Sequence, residues 1–328
     1  MTKYIARRFA YMLVLLLLVS FVAFFLVQLP PGDYVTTYIN DRINDGQRVS
    51  AAEVEALRAL WGLDRSFMFQ YWKWIGNLAQ GELGRSFGYG RQVIDLLEDR
   101  LGLTAMVSIA TLVMTYLIAL PIGIYSATRQ YSWGDYTASV AGFIGMATPN
   151  FILALILMLL FHRLFGLSVG GLLSQEFQGE PWSMAKLWDL LKHLPIPILV
   201  IGTAGTAVVV RTLRATLLDE LRKQYVITAR SKGVEERKLV MKYPVRIAIN
   251  PMISSMSGIL VGIVSGSTIT ATVLNLPTVG PLLLDSLLKQ DVYLSGAIIM
   301  FQGLMVLLGT FLSDMLLIAV DPRIKFED

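Results

Sequence analysis

The sequence predicts an all-α integral membrane protein with six transmembrane helices. Its mean hydropathy is +0.59, and 16% of its 328 residues are charged, whereas soluble chains carry about a quarter. A helix needs about 20 mostly apolar residues to cross a bilayer, and six stretches meet this requirement. None of them shows the alternation of barrel strands. The spans are expected near residues 9–29, 103–128, 136–165, 195–218, 252–276 and 292–320.

The first span follows a basic N-terminus that contains Lys3, Arg7 and Arg8. Basic residues flanking a span are retained on the cytoplasmic side, which favours an uncleaved signal anchor over a secretory signal peptide. Six spans then return the C-terminus to the same side. Both termini are therefore expected in the cytoplasm, and the long loops 30–102 and 166–194 outside it.

The first outer loop has local structure of its own. Ser50 and Glu53 have capping-box spacing, and an apolar stripe then continues to Gly62, which predicts a short helix. An aromatic cluster follows, and it consists of Phe67, Phe69, Tyr71, Trp72 and Trp74. These rings would cover the mouth of a pore, meet a soluble partner, or lie at the level of the lipid headgroups.

A basic segment separates the fourth and fifth spans. Residues 211–246 hold ten lysines and arginines against four acidic residues, a net charge of +6, while the whole chain carries +4 and the remainder −2. The pattern predicts a helix over 219–232, a left-handed break at Gly233, and a second helix over 234–243. Such a bent pair would seat in a groove of another protein or lie on anionic lipid.

The fifth span carries small residues at every fourth position, which places them near one helical face where another backbone can approach closely. This face would pack within the chain, against a second subunit, or along a substrate path. Its members are Ser254, Gly258, Gly262, Gly266 and Thr270. Prolines such as Pro149 either kink the spans that contain them or are simply tolerated there, as proline often is in membrane helices.

The sequence lacks the residues and motifs that metal binding, ATP binding and hydrolysis usually need. The chain has no cysteine and two histidines, His162 and His193, whose separation disfavours a metal site. It has no phosphate-binding loop and no hydrolase motif. Arg211 and Arg214 lie near the inner end of the fourth span, where snorkelling or pairing accounts for them. The basic excess adjoins membrane helices, so it indicates lipid or a protein partner and not nucleic acid.

Taken in order, the motifs resemble those of binding-protein-dependent ABC importer permeases, in the dipeptide, oligopeptide and nickel branch. Within the basic segment, Ala229 and Gly233 match the family's cytoplasmic signature. Ile227 and Thr228 depart from it, and Arg246 stands at its proline position, in the manner of the peptide branch. The other matching blocks are YIARRF at the start, 31–33, WGLDR at 61–65, GELGRSF at 81–87, ATPNF at 147–151, LPTVGPLL at 276–283 and DPRI at 321–324.

The resemblance implies the type I ABC importer permease fold in a bacterial or archaeal cytoplasmic membrane. It implies pairing with a second homologous permease, two ATPase subunits that hold ATP and Mg, and an extracytoplasmic solute-binding protein. On this basis the chain divides into 1–29, the N-terminus and first span; 30–102, an outer subdomain; and 103–328, a permease core with a coupling loop at 219–246. The coupling residues would be Thr228, Ala229, Arg230, Ser231, Lys232, Gly233, Val234, Glu235 and Glu236.

The expected function is therefore transport and not catalysis, with no cofactor in this chain. Di- and oligopeptides are the expected solutes, while oligosaccharides, opines and nickel are alternatives within the same branch. A secondary carrier and a membrane scaffold are the rival classes. They would show ATP-independent flux and no flux, respectively.

Overall fold

The computed structural model describes residues 2–44, 48–165, 170–177 and 179–320, and the regular structure of these residues is helical. A 3₁₀ turn spans Gln175–Phe177. The α-helices are α1 (Thr2–Gln28), α2 (Tyr34–Asn44), α3 (Ala51–Trp61), α4 (Phe67–Ala79), α5 (Val93–Thr128), α6 (Trp133–Ala147), α7 (Asn150–Phe165), α8 (Met184–His193), α9 (Pro195–Leu221), α10 (Gln224–Ser231), α11 (Glu236–Lys242), α12 (Pro244–Ala248), α13 (Asn250–Gly266), α14 (Thr268–Val273), α15 (Val279–Leu288) and α16 (Val292–Val320).

Within the described residues, four helices are long and apolar enough to cross a membrane, with candidate spans Arg7–Gln28, Val93–Thr128, Pro195–Leu221 and Val292–Val320. Two further pairs of helices pass the same test together. They are α6 with α7, bent by 106°, and the Glu236–Ala248 segment with α13, bent by 49°. Up to six spans result if each bent pair crosses once, in agreement with the sequence prediction.

The third predicted span is not one continuous helix, as residues 136–165 were expected to be. It breaks between α6 and α7, at Thr148 and Pro149. A proline pushes the preceding residue out of the helical region, and Thr148 has the extended angles φ −89° and ψ 120°. The sequence allowed a kink at Pro149, and the bend is a sharp turn.

Two other boundaries differ from the prediction. Helix α5 begins at Val93 and not at 103, because the polar turns that precede the apolar stretch are also helical. The fifth predicted span, 252–276, is interrupted at Ser267, between α13 and α14. Gly266, Ser267 and Thr268 are all weak helix formers, so the break falls where local propensity is lowest.

The chain forms two compact units, one of residues 1–103 and 278–305, the other of residues 104–277 and 306–328. In the first unit, Tyr71 and Trp74 of α4 are buried against Phe24 of α1. The Tyr71 hydroxyl lies 3.0 Å from the Ser20 hydroxyl. The predicted helix after Ser50 is confirmed, since the Ser50 side chain accepts from the Glu53 amide and Gly62 ends the helix in a left-handed conformation.

The second unit is built around α9, which packs against α6, α7, α12 and α13. Its core joins apolar side chains of α5, α9, α10, α11, α12 and α13 in one cluster that includes Val209, Leu213, Leu217, Val226, Leu239 and Met252. Most of its fully buried members lie on α9 and on the segment directly after it. The core of this unit is therefore continuous with the base of the basic segment.

Candidate functional site

The basic segment folds as three short helices, α10, α11 and α12, and is called here the basic loop (residues 222–248). Gly233 ends α10 with φ +75°, as predicted. Its amide donates to the Arg230 carbonyl at 3.0 Å, and the Val234 amide donates to the Ala229 carbonyl at 3.4 Å. This pair of bonds is the Schellman pattern, which satisfies the last carbonyls of a helix and turns the chain sharply.

Two details of the predicted helices are wrong. The helix expected over 219–232 is divided, because α9 ends at Leu221 and Lys223, with extended angles, precedes α10. The second helix begins at Glu236 and not at 234. Val234 instead donates the outer hydrogen bond of the Schellman turn, and a residue in this position lies outside the helix.

One side of the basic loop is apolar and buried. Val226, Leu239, Val240 and Val245 are each less than 7% exposed, and they pack on the core cluster around α9. Sequence reasoning missed these anchors because the charged residues between them dominate the composition. Their helical spacing was the available signal.

The other side of the basic loop is polar and exposed. Of the nine predicted coupling residues, seven are exposed, while Ala229 and Val234 are half-buried against the core. The exposed seven are Thr228, Arg230, Ser231, Lys232, Gly233, Glu235 and Glu236. The structure therefore brings the predicted residues together in one continuous bent surface.

Ion pairs span the turn itself. Arg230 donates from Nε and Nη2 to the two carboxylate oxygens of Glu236, at 3.0 and 2.6 Å, and Lys238 lies 3.3 Å from Glu235. Both pairs are largely exposed, and exposed pairs contribute little to stability. Their charges are available to a partner that offers a better geometry.

A tyrosine fixes the start of α10. The Tyr225 hydroxyl donates to Glu220 at 2.7 Å. Partial burial and this hydrogen bond raise the pKa of Tyr225 far above its usual value. The hydroxyl therefore stays protonated at neutral pH and holds α10 against the end of α9.

A buried ion pair supports α9 before the basic loop begins. Arg214 donates from Nε and Nη2 to the carboxylate of Asp135 at 2.7 and 2.8 Å. Asp135 is 2% exposed, and it also accepts from the Tyr131 amide. Sequence reasoning allowed pairing for Arg214 but missed this partner. The Asp135 amide donates to the Ser132 hydroxyl and caps α6, but this local spacing gives no signal for the distant Arg214.

Helix α13 has an open side, called here the small-residue face (Ser254, Gly258, Gly262 and Gly266). All four residues are exposed. An added Cβ at any of the three glycines would meet no described atom within 4 Å. The opposite side of α13 is buried through Met252, Met256, Leu260 and Ile263. Of the three interpretations of the small-residue pattern, packing within the chain is therefore not seen at these four residues in the described part of the chain, and the other two stay predictions.

Thr270 does not continue the small-residue face, although the four-residue spacing placed it there. It lies on α14, beyond the break at Ser267, and is 2% exposed. A four-residue register holds only while a helix continues, so the interruption moves Thr270 into the interior.

The two histidines, His162 and His193, lie on α7 and α8. Among the described residues, no group of three or more His, Cys, Asp or Glu side chains is placed to hold a metal ion. The ring Nδ1 of His193 lies 2.8 Å from the Asp189 carbonyl oxygen of its own helix.

Comparison with known proteins adds two kinds of similarity. Residues 119–326 match the family described as "Binding-protein-dependent transport system inner membrane component", and residues 1–110 match the N-terminal domain of such membrane components. A peptide permease protein of Brucella ovis is 34% identical over 327 residues, 99% of each chain. The oligopeptide transport system permease protein AppB of Bacillus subtilis is 32% identical over 99% of this chain and all of its own. The glutathione transport system permease protein GsiC of Escherichia coli K12 is 30% identical over the full length of both.

Proposed function

The chain belongs to the binding-protein-dependent transport system inner membrane components, and from this premise we propose that it forms half of an ATP-driven import path for peptides. It has the type I ABC importer permease fold, and it is a multi-pass membrane component of an importer. Three relatives named for peptide, oligopeptide and glutathione transport support peptides as the solute class. In this proposal the chain itself catalyses no reaction.

The observation that carries the proposal is the bent surface of the basic loop. Residues 228–236 would seat in a groove of an ATPase subunit, because the turn at Gly233 is fixed by backbone hydrogen bonds and its underside is anchored in the core. A rigid element transmits a movement that a flexible loop would absorb. ATP and Mg would be bound by two such ATPase subunits, and this chain would need no cofactor.

The small-residue face supplies the second contact in this proposal. Gly258, Gly262 and Gly266 would lie against the second permease subunit along the path, since they are exposed and expose backbone that another helix can approach. Thr270, which is buried, is assigned to packing within the chain. An extracytoplasmic solute-binding protein would deliver the peptide.

The proposed orientation places both termini and the basic loop in the cytoplasm. Residues 30–102 then form an outer subdomain, and 103–328 the core. Because the chain has no cysteine, single cysteines at Lys238 and Glu53 are unambiguous sites for an impermeant maleimide in intact spheroplasts. Labelling at 53 without labelling at 238 is expected, and the reverse result would contradict the orientation.

Uptake by proteoliposomes tests the transport function. The chain is reconstituted with its second permease, the ATPase subunits and the binding protein, and a labelled oligopeptide is supplied outside. We expect accumulation that requires ATP in the lumen and stops when the ATPase cannot hydrolyse it. Equal accumulation without ATP would favour the secondary carrier and overturn the proposal.

A further inference from the structure

An apolar groove of about 630 Å³ runs along α9 in the second unit. Its walls come from α5 and α6, and one end is closed by the last turn of α8. Lining side chains that reach its surface include Met114, Ile118, Ala141, Leu191 and Leu199. Leu199 is 55% exposed and Leu191 48%. Bare apolar surface of this kind is unfavourable in water, so the groove is covered by something apolar in the membrane.

The groove offers little to a polar ligand. Its polar lining consists of three threonines. Thr203 and Thr206 donate to the Leu199 and Gly202 carbonyls of their own helix. Thr115 is 1% exposed and lies beneath Gly202 and Gly205. An extended peptide would leave its backbone groups without partners here.

The length of the groove suits a hydrocarbon chain of a membrane lipid. Its lining on α9 extends from Pro195 to Val210, which is about 22 Å at 1.5 Å per residue. A length of about 22 Å lies within the 30 Å hydrocarbon layer.

The end of the groove at Pro195 lies beside an interfacial surface. Helix α8 exposes Leu187 and Trp188, and Trp182 is exposed two residues before the helix begins. Tryptophan is typical of the headgroup level. The exposed Lys192 extends over the Trp188 ring, 5.9 Å from its centroid. Lys192 has no carboxylate oxygen within 4.0 Å among the described residues. The nearby Asp189 accepts from the Ser174 amide and hydroxyl, at 2.7 and 2.8 Å, and it lies 3.6 Å from His193. Lys192 acts on Asp189 through its charge and not through a close ion pair.

We propose that this groove binds one acyl chain of a phospholipid from the leaflet next to α8, with the lipid phosphate at Lys192. The apolar lining, the length and the basic residue beside its end at Pro195 together match the two parts of such a lipid. This proposal requires membrane insertion of the chain, but it does not depend on the identity of the transported solute.

The test uses the assembled transporter in nanodiscs of phosphatidylethanolamine and phosphatidylglycerol, with a trace of phosphatidylglycerol that carries a diazirine on one acyl chain. After irradiation, labelled residues are mapped by mass spectrometry. We expect labels concentrated at Met114, Ile118 and Leu199. Ala141→Phe places a ring in the groove and should lower this labelling about fivefold, because a filled groove leaves no room for the chain.

Val140→Phe is the matched control, since Val140 is a 55% exposed neighbour on α6 that does not line the groove. It should label like the parent. Equal labelling in Ala141→Phe and the parent would show only general contact with lipid and would overturn the proposal. Competition by the transported peptide would also overturn it, because the groove would then belong to the solute path.

Lys192→Gln provides a second variant that leaves the helix packing untouched, so it decides the matter if Ala141→Phe does not assemble. Loss of the cation should lower groove labelling by the anionic probe about threefold at low salt. Lys73→Gln, an exposed lysine on α4, is its control. Unchanged labelling in Lys192→Gln would contradict the placement of the phosphate.

Discussion

The basic loop and the small-residue face lie on neighbouring segments of the same unit, yet they meet their surroundings in opposite ways. The basic loop buries an apolar side of its own and exposes charge. The small-residue face exposes glycines beside which an added Cβ would touch no described atom. Charged residues are stable in water, whereas a stripe of bare helix backbone is normally covered.

The two surfaces therefore differ in whether their contacts are made within the chain or only with a partner. The basic loop has its shape before any partner arrives, since backbone hydrogen bonds and core contacts fix it. The small-residue face acquires its contacts only in an assembly. Substitutions that disturb the turn or the buried anchors of the basic loop should therefore weaken the isolated chain, while substitutions in the small-residue face should weaken only the complex.

The largest effect is expected from Asp135→Asn, which tests whether the basic loop depends on the support of α9. Breaking a buried ion pair costs about 3–5 kcal/mol. Because the Arg214 side chain is 28% exposed, the lower end of this range is expected. The measurement is the loss of thermal stability of the purified chain in detergent.

A double-mutant cycle with Arg214→Gln is the control for that prediction. If the two side chains act as a pair, the double variant should be less destabilised than the sum of the single variants. Additive losses would show that Asp135 acts through its bond to the Tyr131 amide and not through Arg214.

The next effect is expected from Gly233→Val. A Cβ at this position would meet no described atom within 4 Å, so the cost is conformational, about 1–2 kcal/mol for a left-handed residue with a side chain. The turn should distort, and peptide uptake should therefore fall. ATP hydrolysis should either fall together with uptake or continue without it. Both rates are measured in proteoliposomes.

Gly233→Asn is the matched control, because asparagine tolerates the left-handed region better than valine. It should retain most of the coupled activity. Equal losses in the asparagine and valine variants would show that the bulk of the side chain, and not the backbone angle, is responsible.

Gly262→Leu tests the small-residue face. The isolated chain should be unharmed or slightly stabilised, because leucine favours a helix more than glycine by about 1 kcal/mol. Assembly with the second permease should weaken by about 1 kcal/mol or more. Complex yield and uptake are measured beside the thermal stability of the isolated chain.

Normal complex yield and uptake in Gly262→Leu would show that the small-residue face contacts lipid. A loss of stability in the isolated chain would contradict the open geometry described above. Leu260→Ala, which removes a buried side chain from the opposite side of α13, should show that loss and serves as the comparison.

The smallest effect is expected from Glu236→Gln, which removes the exposed pair with Arg230 while the turn keeps its backbone hydrogen bonds. Thermal stability of the isolated chain should not change measurably, because exposed pairs contribute little. A clear loss of stability would show that the ion pair, and not the Schellman turn, holds the bend.

Features set by local chemistry were predictable from the sequence. The helix between Ser50 and Gly62 and the bend at Gly233 depend on a capping hydroxyl and on left-handed glycines, which act within a few residues. The number of apolar stretches followed equally well from length and hydropathy. The family resemblance added the partners, which no local pattern contains.

Features set by packing were not predictable. Pro149 allowed a kink, but the 106° turn depends on how α6 and α7 each settle against α9. Asp135 and Arg214 are 79 residues apart, so no local spacing joins them. Thr270 was misplaced because the register of α13 was extended through a break at Ser267.

The central claim is that the basic loop contacts an ATPase subunit through residues 228–236. It is tested most directly by cysteine crosslinking from position 235 in the assembled transporter, in nanodiscs with and without anionic lipid. We expect a crosslink from Glu235→Cys to the ATPase at both lipid compositions, and none from Glu55→Cys on α3. The account is contradicted if Glu235→Cys gives no crosslink to the ATPase and Gly233→Val transports with full coupling. In that case the activity should instead change with the content of anionic lipid, as expected of a lipid-binding loop.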